Sequence, residues 1–200
     1  MTDVAGAVDA IRAGGLAIVP TDTVYGLATS PHAEAYARRL YRAKGRDELQ
    51  PTALVAADLD VLLELVPELD GRAALIARTL LPGPYTLVLP NPGHRFGWLT
   101  GARPDTIGVR VPAATGPAAA ILAGVGAMVA TSANLPGGPD PRTLADVPGE
   151  LREAADAVVD GGELPGAPST VIDWTGEEPV VVREGAAHST EAIRAVASVL

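Results

Sequence analysis

The chain has 200 residues, of which 48% are hydrophobic and 20% are charged, and its net charge is −9. This length and apolar content suit a folded globular protein with a sizeable core and exclude a disordered chain. The sequence contains no cysteine, which excludes disulfides, thiolate catalysis and the common structural zinc sites. The acidic balance argues against a surface built mainly for nucleic-acid backbones, although the 15 Lys and Arg residues suffice for a local cationic pocket.

Signals for a membrane, for secretion and for a metal are missing from the sequence. The longest apolar stretches fall far short of the roughly 20 residues that a transmembrane helix needs, and the N-terminus has no basic segment followed by an apolar one. His32, His94 and His188 lie far apart without metal-site spacing, and we expect them on the surface or in loops. These features favour a cytoplasmic enzyme of small molecules, with no membrane contact and no metal site made by the protein.

Helices and short strands alternate in the first half of the chain. Val4, Val8 and Ile11 recur at helical spacing, and the glycine pair that follows predicts the end of that helix. An apolar run at residues 16–19, ended by a proline, predicts a buried strand. The same criteria predict a helix at 33–43, a strand at 52–57, a helix that Asp58 caps and that runs to about residue 66, and a helix at 71–80.

The second half is richer in short strands. Apolar or β-branched runs predict strands at residues 85–89, 106–111, 128–131, 157–159, 170–173 and 180–183. Helices are predicted at 116–122, at about 150–155 and at the C-terminus, where we expect Ser189 or Thr190 to be the cap. Interleaved strands and helices predict an α/β fold with a twisted mixed sheet flanked by helices, and we interpret residues 1–200 as a single domain.

Four polar clusters are each expected to follow an apolar strand, and strand ends are where open α/β sheets usually bind ligands. They are residues 20–27, residues 44–46, residues 130–134, and residues 168–170 with Arg183. The hydroxyls and the glycine of the first cluster suit a ligand, but also a capped turn between a strand and a helix. Arg183 suits a phosphate or a stacked base, but also a surface ion pair near Glu184.

Two of these clusters carry strong hydrogen-bond donors. Lys44 and Arg46 can both reach one polyanion if their segment is extended, because arginine offers a planar fork and lysine a point charge. The alternative is a solvated helix end, where the helix dipole favours cations. Ser132 and Asn134 offer hydroxyl and amide groups from one loop, or form an ordinary turn with a left-handed Asn134. The sequence has no phosphate-loop, nucleophile-elbow or zinc-helix motif.

Taken in chain order, these stretches resemble the YrdC family of threonylcarbamoyl-AMP synthases. The matching segments are PTDTVYGL (20–27), KGR (44–46), LPGPYTLVLP (81–90), TIGVRVP (106–112), TSAN (131–134), PSTVID (168–173) and VVREGA (181–186). Each segment is short, but together they extend over nearly the whole chain, whose length fits the short, single-domain members. The resemblance implies a twisted sheet with a large concave cavity that is locally positive.

The resemblance also implies roles for particular residues. The family's catalytic K-x-R and S-x-N set would hold ATP and the reacting groups. In this sequence the set corresponds to Lys44, Arg46, Ser132 and Asn134. The residues that align with nucleotide contacts are Thr106 and Arg183, and those that align with residues around threonine are Thr21, Ser169 and Arg110, the last pairing with the carboxylate. Two positions depart from the family: Val55 stands where many relatives have histidine, and Asp140 where some have a serine that contacts nucleotide.

By this resemblance the chain is an ATP-using nucleotidyltransferase that forms threonylcarbamoyl-AMP and pyrophosphate from L-threonine, bicarbonate or CO₂, and ATP. Mg²⁺ would enter with ATP, held largely by the phosphates and by water. The product would pass to a tRNA threonylcarbamoyl transferase, which modifies the adenosine beside the anticodon of tRNA.

Three other functions remain open on the sequence. The first is an RNA-binding or ribosome-assembly protein, against which the acidic composition and the lack of a Lys/Arg-rich run argue. The second is a carbamoyl-adenylate transferase like the module of hydrogenase maturation proteins, although those large chains carry zinc-binding cysteines and this sequence has none. The third is a family paralogue of unknown activity, against which the intact TSAN segment argues.

Overall fold

A computed structural model describes residues 3–200, which form a nine-stranded sheet with helices on both faces. The strands are β1 (Ala17–Val19), β2 (Gly26–Thr29), β3 (Ala53–Ala56), β4 (Tyr85–Pro90), β5 (Thr106–Arg110), β6 (Ala127–Ser132), β7 (Ala157–Val158), β8 (Thr170–Asp173) and β9 (Val180–Arg183). The helices are α1 (Val4–Arg12), α2 (Glu34–Lys44), α3 (Leu59–Leu65), α4 (Gly71–Leu80), α5 (Gly116–Val125), α6 (Gly149–Ala154) and α7 (Ser189–Ala197), with 3₁₀ turns at Gly97–Leu99 and Leu144–Asp146.

The sheet is mixed, as the sequence predicts. Its strand order is β7-β1-β2-β6-β3-β5-β4-β8-β9. Three neighbouring pairs are parallel (β1 with β7, β3 with β5, β4 with β8), and the other pairs are antiparallel. The sequence analysis missed β2, which pairs with β1 across the first polar motif. Its first residue is a flexible glycine, which weakens the strand signal of this short segment.

Local capping sets helix ends near the predicted positions, with one exception. Asp58 accepts a hydrogen bond from the first turn of α3 at 2.8 Å and caps that helix, as predicted. In α7 neither Ser189 nor Thr190 is the cap, because His188 occupies the N-cap position and Ser189 is already helical. The Ser189 hydroxyl donates instead to the carboxylate of Glu184, a contact that no local pattern predicts.

One face of the sheet carries the larger hydrophobic cluster. Alternate strand residues point to this face, among them Leu54, Leu87 and Val109, which have no solvent exposure. Helices α2, α3, α4, α6 and α7 pack against the cluster through their buried residues. This face is therefore covered from β1 to β8.

The opposite face is covered over only part of its width. Helices α1 and α5 pack there, through Ile11 and Ile121, over β1, β2 and β6. On β5, β4 and β8 the residues of that face, such as Thr86, Gly108 and Arg110, belong to neither hydrophobic cluster of residues 3–200. They line a cavity instead, so the open half of the sheet is the floor of the candidate site.

Candidate active site

The cavity on the open half of the sheet has a volume of about 390 Å³. Its floor is the sheet itself, because every second residue of β5, from Thr106 through Gly108 to Arg110, faces the cavity. The rim consists of loops, drawn from residues 21–24, 49–52, 100–103 and 168–169. Three predicted residues lie at strand ends, namely Arg110 on β5, Ser132 on β6 and Arg183 on β9, whereas Lys44 and Arg46 lie at the end of helix α2. The cavity also extends over the sheet face, because no helix of the described residues covers β5, β4 and β8 on this side.

The predicted site residues meet at this cavity. Seven of the nine line it, namely Thr21, Arg46, Thr106, Arg110, Ser132, Ser169 and Arg183. The other two, Lys44 and Asn134, lie behind Ser132 and are hydrogen-bonded to it. The nine residues come from six separate stretches of the chain, so their meeting is a property of the fold.

Lys44 is the only lysine in the sequence, and it is 4% exposed. It ends α2, and its ammonium donates to the Ser132 carbonyl, to Asn134 Oδ1 at 2.7 Å and, at 3.4 Å, to Ser132 Oγ. Burial and the nearby Arg46 lower the pKa of Lys44 to about 8, and the carboxylate of Asp140 opposes this shift. A solvated helix end, one interpretation of the sequence, is therefore wrong for this residue.

The segment that joins Lys44 to Arg46 is a helix end and not the extended chain considered from the sequence. Gly45 closes α2 in the left-handed conformation, at φ 64° and ψ 31°, which glycine adopts at little cost. This turn places Arg46 in the cavity wall, where Nη2 donates to Pro51 O at 2.7 Å and the buried Nε has no partner in the described chain. Burial, with repulsion from Arg183, lowers the pKa of Arg46.

The S-x-N residues lie where β6 ends. Ser132 Oγ donates to Asn134 Oδ1 at 2.7 Å, and the Asn134 amide donates to Gly138 O at 2.7 Å. The same amide lies 3.5 Å from Asp140 Oδ1. Only two non-glycine residues within 3–200 have positive φ, and Asn134 is not one of them, so the left-handed turn is not formed. Its side chain links the strand end to the loop that follows.

Arg110 projects from β5 beside the first polar motif. Its Nη2 donates to the Asp22 carboxylate and to Thr23 Oγ1 at 3.1 Å. Thr21 Oγ1 lies 3.1 Å from Thr23 Oγ1 and donates to Val24 O at 2.7 Å. The side chains of Arg110 and Asp22 are only 11% and 9% exposed, so a largely buried ion pair joins the loop to the strand. The sequence analysis named Thr21 and Arg110 but missed Asp22 and Thr23.

Ser169 and Arg183 form another part of the wall. Ser169 Oγ shares a hydrogen bond with Thr86 Oγ1 at 2.8 Å. Arg183, on the edge strand β9, donates through Nη2 to Ser169 O at 2.8 Å and to Ser169 Oγ at 3.3 Å. Arg183 makes no salt bridge with any residue of the described chain, so the surface ion pair considered for it is not formed. Partial burial and the nearby Arg110 lower the pKa of Arg183.

Thr106 lies at the other end of the β5 row. It is 5% exposed, and its hydroxyl donates to Arg103 O at 3.0 Å. The Arg103 guanidinium pairs with Asp173, with 2.6 Å between Nη1 and Oδ2. Val88 and Val171 complete the floor with apolar groups. The sequence analysis missed these floor residues, although strand alternation in LPGPYTLVLP and PSTVID already puts every second residue on one face.

Comparison with known proteins places the chain in a family. The model of the Sua5/YciO/YrdC family, described as telomere recombination, matches residues 9–185, and the chain belongs to this family. It is 36% identical to the threonylcarbamoyl-AMP synthase of Pyrococcus abyssi over 176 residues, which cover 88% of this chain and 52% of that protein. It is 34% identical to YciO of Escherichia coli, an uncharacterized protein, over 185 residues that cover 90% of this chain and 87% of YciO.

Solved structures have the same fold. The crystal structure of P. abyssi Sua5 complexed with L-threonine matches with a TM-score of 0.86 and 34% identity, over 96% of this chain and 56% of that one. The chain thus spans about half the length of its P. abyssi relatives. The predicted family and the predicted α/β fold are confirmed.

Other features bear on what the site can bind. Within residues 3–200 no helix is long and apolar enough to cross a membrane. The same residues contain no group of three or more His, Cys, Asp or Glu side chains that could hold a metal ion. All three histidines are exposed, as the sequence predicts.

Proposed function

We propose that the chain is a threonylcarbamoyl-AMP synthase. The observation that carries the proposal is a cluster of three cations: Arg46 and Arg183 line the cavity, and Lys44 lies directly behind its wall at Ser132. Each of them is hydrogen-bonded only to neutral oxygen atoms of the described chain. The reaction brings together a carboxylate, a carbamate and a triphosphate, and fixed cations lower the repulsion between such groups. A P. abyssi relative bears this name, and the related Sua5 structure contains L-threonine.

The residues divide between two substrates in this proposal. Threonine binds at Arg110, Thr21 and Ser169, with Arg110 pairing with its carboxylate. ATP binds along the remaining polar wall, which comprises Lys44, Arg46, Thr106, Ser132, Asn134 and Arg183. This division follows the family resemblance. The positions of the side chains suit it, since seven of these residues line one cavity and the other two are bonded to Ser132.

The chemistry needs no covalent enzyme intermediate. The neutral amine of threonine forms a carbamate, either by adding to CO₂ with release of a proton or by condensing with bicarbonate with release of water. A carbamate oxygen then forms a bond to the α-phosphorus of ATP, and the bond from that phosphorus to the bridging oxygen breaks, so that pyrophosphate leaves with the electron pair. Holding the carbamate in line with the α-phosphate contributes up to about 7–11 kcal/mol of barrier lowering. The K-x-R and S-x-N side chains stabilise the charge on the phosphates.

In this proposal Mg²⁺ enters the site bound to ATP. When bound with ATP, Mg²⁺ would neutralise part of the charge of the triphosphate, and the phosphates and water would hold it largely without ligands from this chain. The described residues suit that arrangement, because they provide cations and hydroxyls for a polyanion without providing a cluster of metal ligands. The product then passes to a tRNA threonylcarbamoyl transferase, which places the chain in tRNA modification as a nucleotidyltransferase.

Mass spectrometry of the products tests the proposal directly. The chain is incubated with ATP, Mg²⁺, L-threonine and bicarbonate, and we expect threonylcarbamoyl-AMP and pyrophosphate. Formation of a carbamoyl-adenylate from carbamoyl phosphate, or salt-sensitive RNA binding without pyrophosphate release, would favour one of the other functions. Threonine-dependent pyrophosphate release also distinguishes a threonylcarbamoyl-AMP synthase from a YciO-like family member with an unrelated activity.

A further inference from the structure

The cations around the cavity fall into two groups according to their partners. The first group, here called the unpaired cations, donates only to neutral oxygens of residues 3–200 and consists of Lys44, Arg46 and Arg183. The second group is held by carboxylates and consists of Arg103, paired with Asp173, and Arg110, paired with Asp22. The unpaired cations also repel one another and are partly desolvated, since burial lowers the pKa of each. The carboxylate of Asp140 acts on Lys44 and Arg183 and offsets only part of this charge, so the three cations form the part of the site with a net positive charge.

The pairing of Arg110 leaves one nitrogen for a ligand. Both hydrogens of Nη2 are used, one by the Asp22 carboxylate and one by Thr23 Oγ1. Nε is buried and has no partner in the described chain. The remaining nitrogen, Nη1, makes no hydrogen bond to residues 3–200, and Arg110 lines the cavity. Asp22 does not belong to the cavity wall, so it acts on a ligand only through Arg110.

We propose that Asp22 is a positioning residue that sorts the two substrates by charge. It fixes Arg110 with Nη1 towards the carboxylate of the amino acid, and it offsets most of the charge of Arg110, so that phosphate groups bind to the unpaired cations instead. This inference rests on the proposed function, which requires an amino acid and a triphosphate in one cavity. A zwitterionic amino acid has no net charge, so its carboxylate can accept a hydrogen bond from an arginine whose charge is offset by a partner. A polyanion, in contrast, gains the most electrostatic binding energy beside cations that have no carboxylate partner.

The burial of the pair makes this sorting effective. At 11% and 9% exposure, the charges of Arg110 and Asp22 are little screened by water or salt, so Asp22 offsets much of the positive field of Arg110. The part that is left still lowers the pKa of Arg183. Replacing Asp22 by Asn keeps its shape but leaves Arg110 as a fourth unpaired cation beside the other three. The expected consequence is a second place where phosphate groups bind, in competition with the amino acid.

The first test compares Asp22→Asn with Asp22→Glu and with Asp9→Asn, a matched loss of one carboxylate at an exposed position of α1. For Asp22→Asn we expect the KM for threonine to rise on the order of tenfold to a hundredfold, because Arg110 is no longer held in place. The kcat at saturating threonine should change little, Asp22→Glu should restore much of the KM, and Asp9→Asn should behave as the parent chain. A merely structural role for Asp22 would change kcat, KM and thermal stability together.

The second test needs no turnover. Inorganic pyrophosphate is titrated by calorimetry into the parent chain, Asp22→Asn and the double variant Asp22→Asn/Arg110→Gln. We expect Asp22→Asn to gain a second pyrophosphate site that threonine displaces, and the double variant to lose it. Thr23→Val removes the other acceptor of Arg110 Nη2 without changing the charge. It should therefore weaken threonine binding without creating a second pyrophosphate site. The same variant tests the positioning of Arg110 if Asp22→Asn does not fold.

An unchanged KM for threonine in Asp22→Asn, or the lack of a second pyrophosphate site, overturns the inference. If the parent chain makes no threonylcarbamoyl-AMP, the proposed function fails, and the pyrophosphate titration still decides whether Asp22 sorts charge. The two failures are therefore distinguishable.

Discussion

Two halves of one sheet face differ in what covers them. Over β1, β2 and β6 the face presents small or flexible apolar side chains, including Ala17, Ala28 and Met128, and helices α1 and α5 pack against them. Over β5, β4 and β8 the same face presents Thr86, Gly108, Arg110 and other cavity residues, and no helix of the described chain covers it. Packing a helix on a sheet stabilises the fold only where it buries apolar area. The side chains at alternate strand positions therefore decide which half of the face becomes hydrophobic core and which half is left open as the candidate site.

The covered half should contribute stability without contributing chemistry. Ile121, which is 1% exposed, joins α5 to the sheet. Ile121→Ala should reduce the free energy of unfolding by about 2–5 kcal/mol, because it removes buried methyl groups and leaves a cavity. Denaturant unfolding measures this loss, and product formation per folded molecule at low temperature serves as the control. Lost turnover in fully folded protein would contradict the division between the two halves.

The polar residues beside the open half should contribute chemistry with little stability. Asn134→Ala and Lys44→Ala remove groups that we assign to the charge on ATP, so turnover should fall on the order of 10²–10³-fold while the circular dichroism spectrum is kept. Threonine- and bicarbonate-dependent pyrophosphate release is the measurement. Arg78→Ala, at an exposed position of α4, is a matched loss of one cation away from the cavity. Unchanged turnover in both site variants would show that neither Lys44 nor Asn134 acts in the reaction.

A methyl group on the cavity floor should separate binding from folding. A Cβ at Gly108 would lie 3.8 Å from Ala53 Cα and 4.0 Å from Thr86 Cγ2, which are ordinary contacts. Gly108→Ala should therefore fold at least as well, with a gain of about 0.5–1 kcal/mol from reduced backbone freedom. Substrate affinity should fall about tenfold, since the methyl group occupies space needed by ligand. Gly149→Ala, with open space around it, is the control; unaltered affinity would show that substrate does not contact the floor.

The smallest effect concerns pH. Burial lowers the pKa of Lys44 from 10.5 to about 8, so its charge is present below pH 8 and is lost as the pH rises through that value. ATP affinity of the free enzyme should then fall about fourfold between pH 7 and 8.5, as the protonated fraction falls. Because Lys44 is the only lysine, NMR of ¹³C-methylated amines gives one lysine signal beside that of the N-terminal amine, and this signal reports its titration. A midpoint near 10.5, or the same pH dependence in Lys44→Arg, would contradict this origin.

Local patterns predicted most elements of the fold. Helix α4 spans the predicted residues, and the predicted strands of the second half all form, because their signals are spacing, capping and turn chemistry within a few residues. The two errors have different causes. Ser189 donates to the carboxylate of Glu184, five residues earlier, and does not cap α7. Strand β2 exists because β1 and the distant β6 pair with it on both sides.

By itself the sequence determined the fold class, the family resemblance and nine of the residues around the cavity, because those depend on short motifs and on their order along the chain. The tertiary structure alone decided that the site lies on an uncovered sheet face, that Lys44 is buried beside Ser132 and Asn134, and that Asp22 pairs with Arg110 across 88 positions of sequence. The physical reason is that burial, charge pairing and the limits of a helix layer depend on contacts between segments that no local pattern encodes.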